Sequence, residues 1–77
     1  MNDIAERVRK VVTEVLWIPP AELDDTKKLA DYGLDSPTAI ELTVQLEDTF
    51  DIRIPEDEAA GLETVNQITE YVKGTVA

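Results

Sequence analysis

The sequence predicts an all-α domain of three main helices and one short helix, with a long first loop. Three observations carry this. Apolar residues recur at helical spacing in three separate stretches. The single alternating stretch, "DIRIP" at residues 51–55, has no second alternating run to pair with. Residues suited to starting or stopping helices bracket the periodic stretches.

The first helix is expected over residues 3–16. There Ile4, Val8, Val11 and Val15, with Val12, fall on one face, Asn2 or Asp3 offers a cap, and Pro19-Pro20 forbids continuation. Residues 17–35 show no clear period, and nineteen residues without regular structure is long for a compact domain. Ile18, Leu23, Leu29, Tyr32 and Leu34 are expected to pin this loop to the helices, with a short helical turn near Pro20-Ala21-Glu22-Leu23. From Pro37 to Phe50 the period returns: Ala39, Leu42, Leu46 and Phe50 make a stripe that Ile40 and Val44 widen. Proline suits the first turn of a helix, so Ser36 is expected at the N-cap. "DIRIP" is then an extended connector. Pro55 opens a short helix with Glu56-Asp57-Glu58 in its first turn, and Gly61 closes it. Thr64 to Gln67 fits a capping box before a last helix, where Val65, Ile68 and Val72 face inward with Tyr71 beside them.

Seventy-seven residues make one domain, near the lower end of what one apolar core stabilises, with 43% hydrophobic residues to build it. Seventeen acids against seven bases give a net charge of −10. That balance argues against nucleic acid and anionic membranes as partners and favours proteins that present a basic patch. The absence of Cys and His removes disulfides, thiolates, imidazole bases and most zinc sites. Residues 1–16 are charged throughout, unlike a signal peptide, and no run approaches membrane-spanning length. A cytoplasmic protein is expected.

Candidate chemistry is thin. Ser36 has no histidine to activate it, and "GLDSPT" lacks the flanking glycines of a nucleophile elbow. The acids near Asp31 and Asp35 do not follow calcium-loop spacing, so no metal site is assigned. An independent enzyme is not expected. The charge distribution is more informative: Glu41, Glu47 and Asp48 lie on the second helix between Asp35 and Asp51, with no Lys or Arg among them. An acidic helix is ordinarily a solvated face. Here it adjoins the serine at the helix start, which favours a docking surface for basic partners.

The segment "GLDSPTAIELTVQLEDTFDIRIP" resembles the central part of acyl carrier proteins. The elements that carry this are Gly33-Leu34-Asp35-Ser36, Glu41-Leu42, Leu46-Glu47 leading to Phe50, and the Ile-x-Ile-Pro connector; the similarity extends over residues 1–77 as a single domain. The resemblance implies a small four-helix bundle carrying covalent 4′-phosphopantetheine, taken from coenzyme A. Carried over, the attachment point is Ser36, with Asp35 beside it in the modification motif. Acyl or aminoacyl groups would ride as thioesters on the arm's thiol, in fatty-acid, polyketide or lipopeptide synthesis. The implied docking residues are Pro37, Glu41, Glu47, Asp48 and Glu56, and the implied lining for the acyl chain is Leu46, Ile54, Ala59 and Leu62. The implied partners are a phosphopantetheinyl transferase, an acyl-loading ligase or acyltransferase, and downstream synthase enzymes with basic patches. A monomer is expected.

One departure is Pro37, where the family usually has leucine. With Trp17 and the Pro19-Pro20 pair, it points to a specialised acyl or aminoacyl pathway rather than the housekeeping fatty-acid carrier. The alternative is an acidic docking module in which Ser36 is only a helix N-cap.

Overall fold

The computed structural model describes residues 3–76, so a cap at Asn2 lies outside the described residues. Four helices follow in order: α1 (Asp3–Leu16), α2 (Ser36–Phe50), α3 (Glu56–Ala59) and α4 (Val65–Val76). Two 3-10 turns, Pro20–Glu22 and Leu29–Tyr32, break up the long first loop, and no strand occurs among the described residues. Among the described residues, no helix is long and apolar enough to cross a membrane.

The periodic residues of α1 and α4 face each other as their spacing requires. Val8, Val11 and Val12 are buried on α1, Val65, Ile68 and Val72 on α4, and α1 packs against both α2 and α4. From α2 the core takes Leu42 and Leu46, and from the connector Ile54. The second turn of α1 reaches the end of α2: Arg7 Nη2 donates to the Thr49 carbonyl oxygen at 2.6 Å, and its guanidinium lies 4.6 Å from the centre of the Phe50 ring. A cation thus meets the negative end of the α2 dipole, and α1 and α2 run antiparallel.

The long loop is pinned largely as expected. Leu29 is fully buried, while Leu23, Tyr32 and Leu34 pack against the core; Ile18 is half-buried but stands outside that cluster. Backbone bonds tie the loop to the start of α4, with Leu29 N–H donating to Glu63 O at 2.8 Å and Asn66 N–H to Asp25 O at 3.1 Å. Arg9 of α1 grips the Asp25 carboxylate through Nε and Nη2. Tyr32 Oη accepts from Asp24 N–H and donates to Glu22 O. Gly33 ends the second 3-10 turn at φ 93°, a left-handed conformation that glycine adopts without steric cost.

Helix ends supply two findings. The chain leaves α1 at Trp17 (φ 58°), two residues before Pro19, with Ile18 N–H reaching back to Thr13 O; it leaves α2 at Asp51 (φ 53°), with Ile52 N–H bonded to Glu47 O. Both are left-handed closures of the kind glycine usually makes, here built on other residues. At α4 the capping box forms: Gln67 N–H donates to Thr64 Oγ1, and Gln67 Oε1 accepts from the N–H groups of Thr64 and Glu63. Gly61 follows α3 in a turn without a positive φ, its N–H donating to Glu58 O.

The core contains one unmet polar atom among the described residues. Thr69 is buried on α4 and its Oγ1 has no hydrogen-bond partner. Replacing that hydroxyl with a methyl group removes a desolvation cost at nearly constant shape. Thr69→Val is therefore expected to stabilise the protein by about 1 kcal/mol, read as a rise of roughly 5 °C in Tm by thermal circular dichroism.

Candidate functional site

The site begins where the loop meets α2. The residue that caps α2 is Asp35, not Ser36: its backbone is extended (φ −113°, ψ −177°) and its Oδ1 accepts from Thr38 N–H at 3.0 Å. Ala39 N–H donates to Asp35 O at 2.8 Å as the first helical bond. This corrects the expectation that Ser36 occupies the N-cap. A carboxylate is both a charged acceptor and a counter-charge to the positive helix end, so it takes the capping position ahead of the hydroxyl that follows. Pro37 then falls at the second helical position.

Ser36 is thereby left with no capping role. It is exposed, and no hydrogen bond among the described residues engages its hydroxyl. A docking module in which Ser36 merely caps the helix loses its physical basis.

Bonds from the Thr38 hydroxyl and backbone N–H hold the Asp35 carboxyl below the usual aspartate range. A lowered folded-state pKa stabilises the protein above the unfolded value, and that contribution is lost as pH falls through the folded value. Asp35→Asn keeps a capping oxygen but does not titrate. The wild-type advantage in Tm over this variant is expected to be full at neutral pH and to shrink progressively below about pH 4, as a pH series of melting curves would show.

Ser36, Ile40, Thr43, Val44 and Glu47 fall at successive helical returns along one face of α2. With Ala39 they form one wall of an open groove of about 480 Å³, and Ile54, Glu56, Ala59 and Ala60 form the other. The groove wall is apolar but unsealed: Ile40 is 66% and Val44 48% exposed. Sequence reading joins these two to the core stripe, and the structure turns them to the groove. Of the residues expected to line an acyl pocket, Ile54 and Ala59 border this groove. Leu46 sits instead in the core at 2% exposure, and Leu62 packs against the core away from the groove.

The acids separate by environment. Glu41, Asp48 and Glu56 are exposed, as is Pro37. The ion pairs among the described residues are Arg9–Asp25 and Glu70–Lys73, so none of these three acids is neutralised by another described residue. Glu47 differs: it is half-buried, and its Oε2 accepts from Ile54 N–H at 2.8 Å, tying α2 to the connector. Among the described residues no acidic cluster forms a metal-holding group.

A family model described as the phosphopantetheine attachment site matches residues 6–72. An acyl carrier protein of Amoebophilus asiaticus (strain 5a2) is 38% identical over all of this chain and 98% of that protein. The chain belongs to the acyl carrier protein family. Among solved structures, a free-standing peptidyl carrier protein from an uncharacterized Acinetobacter baumannii secondary metabolic pathway matches with a TM-score of 0.80 and 26% identity, over 91% of this chain and 88% of that one. The HMG-ACPI domain of the CurA module from Lyngbya majuscula shares the fold, with a TM-score of 0.82 at 20% identity over 95% of this chain and 75% of that one. As an acyl carrier protein the chain is a carrier and not an enzyme. It bears 4′-phosphopantetheine and moves acyl groups held on it. Carriers of this family interact with phosphopantetheinyl transferases and synthase enzymes.

Proposed function

We propose that Ser36 is the residue that receives the arm, and that the exposed acids of α2 and α3 guide each partner to it. The observation that carries this reading is the Ser36 hydroxyl itself. It is exposed at the first residue of α2, spared from capping by Asp35, and stands at the mouth of the groove. In the attachment step a transferase removes the hydroxyl proton and Ser36 Oγ attacks phosphorus in coenzyme A. The pyrophosphate bond breaks, the nucleotide half leaves, and a phosphodiester remains. The bound arm supplies the thiol that this cysteine-free chain lacks.

Asp35 and Pro37 flank Ser36, and Glu41 and Asp48 on α2 with Glu56 on α3 offer a basic partner exposed acids that no described residue neutralises. Such charge favours rapid, salt-sensitive encounters suited to a shuttle that must leave each enzyme. The groove gives a short apolar cargo a place to lie along Ile40, Val44, Ile54 and Ala59. The loading ligase or acyltransferase and the accepting enzymes belong to a specialised acyl or aminoacyl pathway, a reading motivated by Pro37 and by Trp17, which is 91% exposed. Normal turnover by a panel of fatty-acid synthase enzymes would overturn that assignment.

The deciding experiment is an intact mass after incubation with coenzyme A and a broad-specificity phosphopantetheinyl transferase. The wild type is expected to gain one phosphopantetheine and Ser36→Ala none. A gain in the alanine variant, or none in a folded wild type, would remove Ser36 from this role.

A further inference from the structure

The groove beside α2 is chemically one-sided. Two acids border it, Glu47 and Glu56, and among the described residues no Lys or Arg does. Its side-chain hydroxyls are committed as donors: Thr43 Oγ1 donates to Ala39 O at 3.0 Å, and Ser36 Oγ loses its proton when the arm is attached. The groove's side chains thus offer a cargo acceptors, negative charge and apolar surface, but no free donor. Glu47 is the more enclosed of the two acids. It is half-buried, its Oε2 accepts from Ile54 N–H at 2.8 Å, and no described residue donates to its Oε1. The ion pairs among the described residues do not include it.

Chain lengths decide which part of a cargo meets Glu47. It lies three turns beyond Ser36, roughly 16 Å along the axis of α2, and is the last α2 residue to border the groove. From Ser36 Oγ to its sulfur, a 4′-phosphopantetheine arm is about fourteen bonds long and spans roughly 17 Å, at the reach per bond of an extended backbone. An arm laid along the groove therefore brings its thiol to Glu47. The first atoms of the cargo are then the ones beside the carboxylate.

We propose that the cargo of this carrier is an aminoacyl group, with its ammonium one or two carbons from the thioester carbonyl and bound to Glu47 Oε1. This rests on Ser36 as the attachment point and on the groove as the place of the cargo. A charge-assisted bond to a half-buried carboxylate favours an ammonium over a methyl group of similar size. The same acids repel a dicarboxylic cargo, to which the groove presents no cation. The apolar side chain of the amino acid rests on Val44 and Ile54.

The test attaches three arms to the folded protein with a broad-specificity transferase, using coenzyme A derivatives in which a stable amide replaces the thioester. The arms end in alanyl, in isobutyryl, which has a methyl in place of the ammonium, and in malonyl. Intact mass confirms each product. At pH 6 and low salt the alanyl form is expected to melt roughly 3 °C above the isobutyryl form. Its cargo methyl is expected to show NMR contacts to Val44 and Ile54, and the Glu47 carboxyl carbon to shift relative to the isobutyryl form. The malonyl form should show neither contact. Glu47→Gln keeps an acceptor for Ile54 N–H and should abolish the difference between alanyl and isobutyryl. Equal melting and equal spectra for those two forms of the wild type would overturn the proposal, whatever the behaviour of the variant. So would an alanyl advantage that persists in Glu47→Gln, or a malonyl group making the same contacts. A folded wild type that gains no mass from any arm would instead remove Ser36 as the attachment point, and this proposal with it.

Discussion

Leu29→Ala is expected to cost about 3 kcal/mol and to lower Tm by roughly 15 °C. Leu29 is the one residue of the first loop with no exposed surface, and it belongs to the same buried cluster as Val8, Leu42 and Ile68. Its backbone is fixed at both ends, the N–H donating to Glu63 O and the carbonyl accepting from Leu34 N–H. The cavity left by truncation therefore cannot close by a simple loop shift, which puts the cost well inside the range for large-to-small core changes. The same segment leads through Gly33 and Leu34 to Asp35 and Ser36, so the damage should reach the site. Faster amide exchange across residues 29–35, and slower modification of Ser36 at temperatures where the variant is still folded, are the expected signs. An unchanged Tm would mean that the loop lies outside the cooperative unit.

What the sequence makes legible follows from how local the determining physics is. The bounds of α1 and the capping box at Thr64 and Gln67 depend on neighbours within a turn, and the structure reproduces both. At the start of α2 the cap read from sequence falls one residue late: Asp35 and Ser36 are both good caps, and only the Thr38 N–H decides between them. Trp17 and Asp51 take left-handed conformations that composition would assign to glycine. Tertiary packing overrides that preference, with Ile52 and Leu16 held against the core on either side of these turns.

The groove is the least legible part. Periodicity reports that a residue lies on an apolar face, not whether another element covers that face. Ile40 and Val44 read as an extension of the Ala39, Leu42, Leu46 and Phe50 stripe, yet one-turn α3 is too short to seal them. Leu46 lies off the groove for the converse reason, since it sits in the buried cluster, on a helix that packs against α1.

Glu47→Ala is expected to destabilise the protein by about 2 kcal/mol, or roughly 10 °C in Tm, although sequence reading groups it with the exposed docking acids. Its Oε2 accepts from Ile54 N–H at 2.8 Å, and Ile54 is 5% exposed, so truncation strands a backbone donor beside the core. A charged acceptor makes a bond about twice as strong as a neutral one, so Glu47→Gln should lose roughly half as much. Glu41 provides the contrast on the same helix. It is exposed and unpaired among the described residues, so Glu41→Ala should leave stability within about 0.5 kcal/mol while slowing encounter with a basic transferase, most clearly at low salt. Hydrogen exchange at the Ile54 amide separates the two roles. It should accelerate in Glu47→Ala and remain unchanged in Glu41→Ala. If Glu47→Ala instead keeps the wild-type Tm and Ile54 protection, then Glu47 does not latch the connector, and its place among the docking acids is restored.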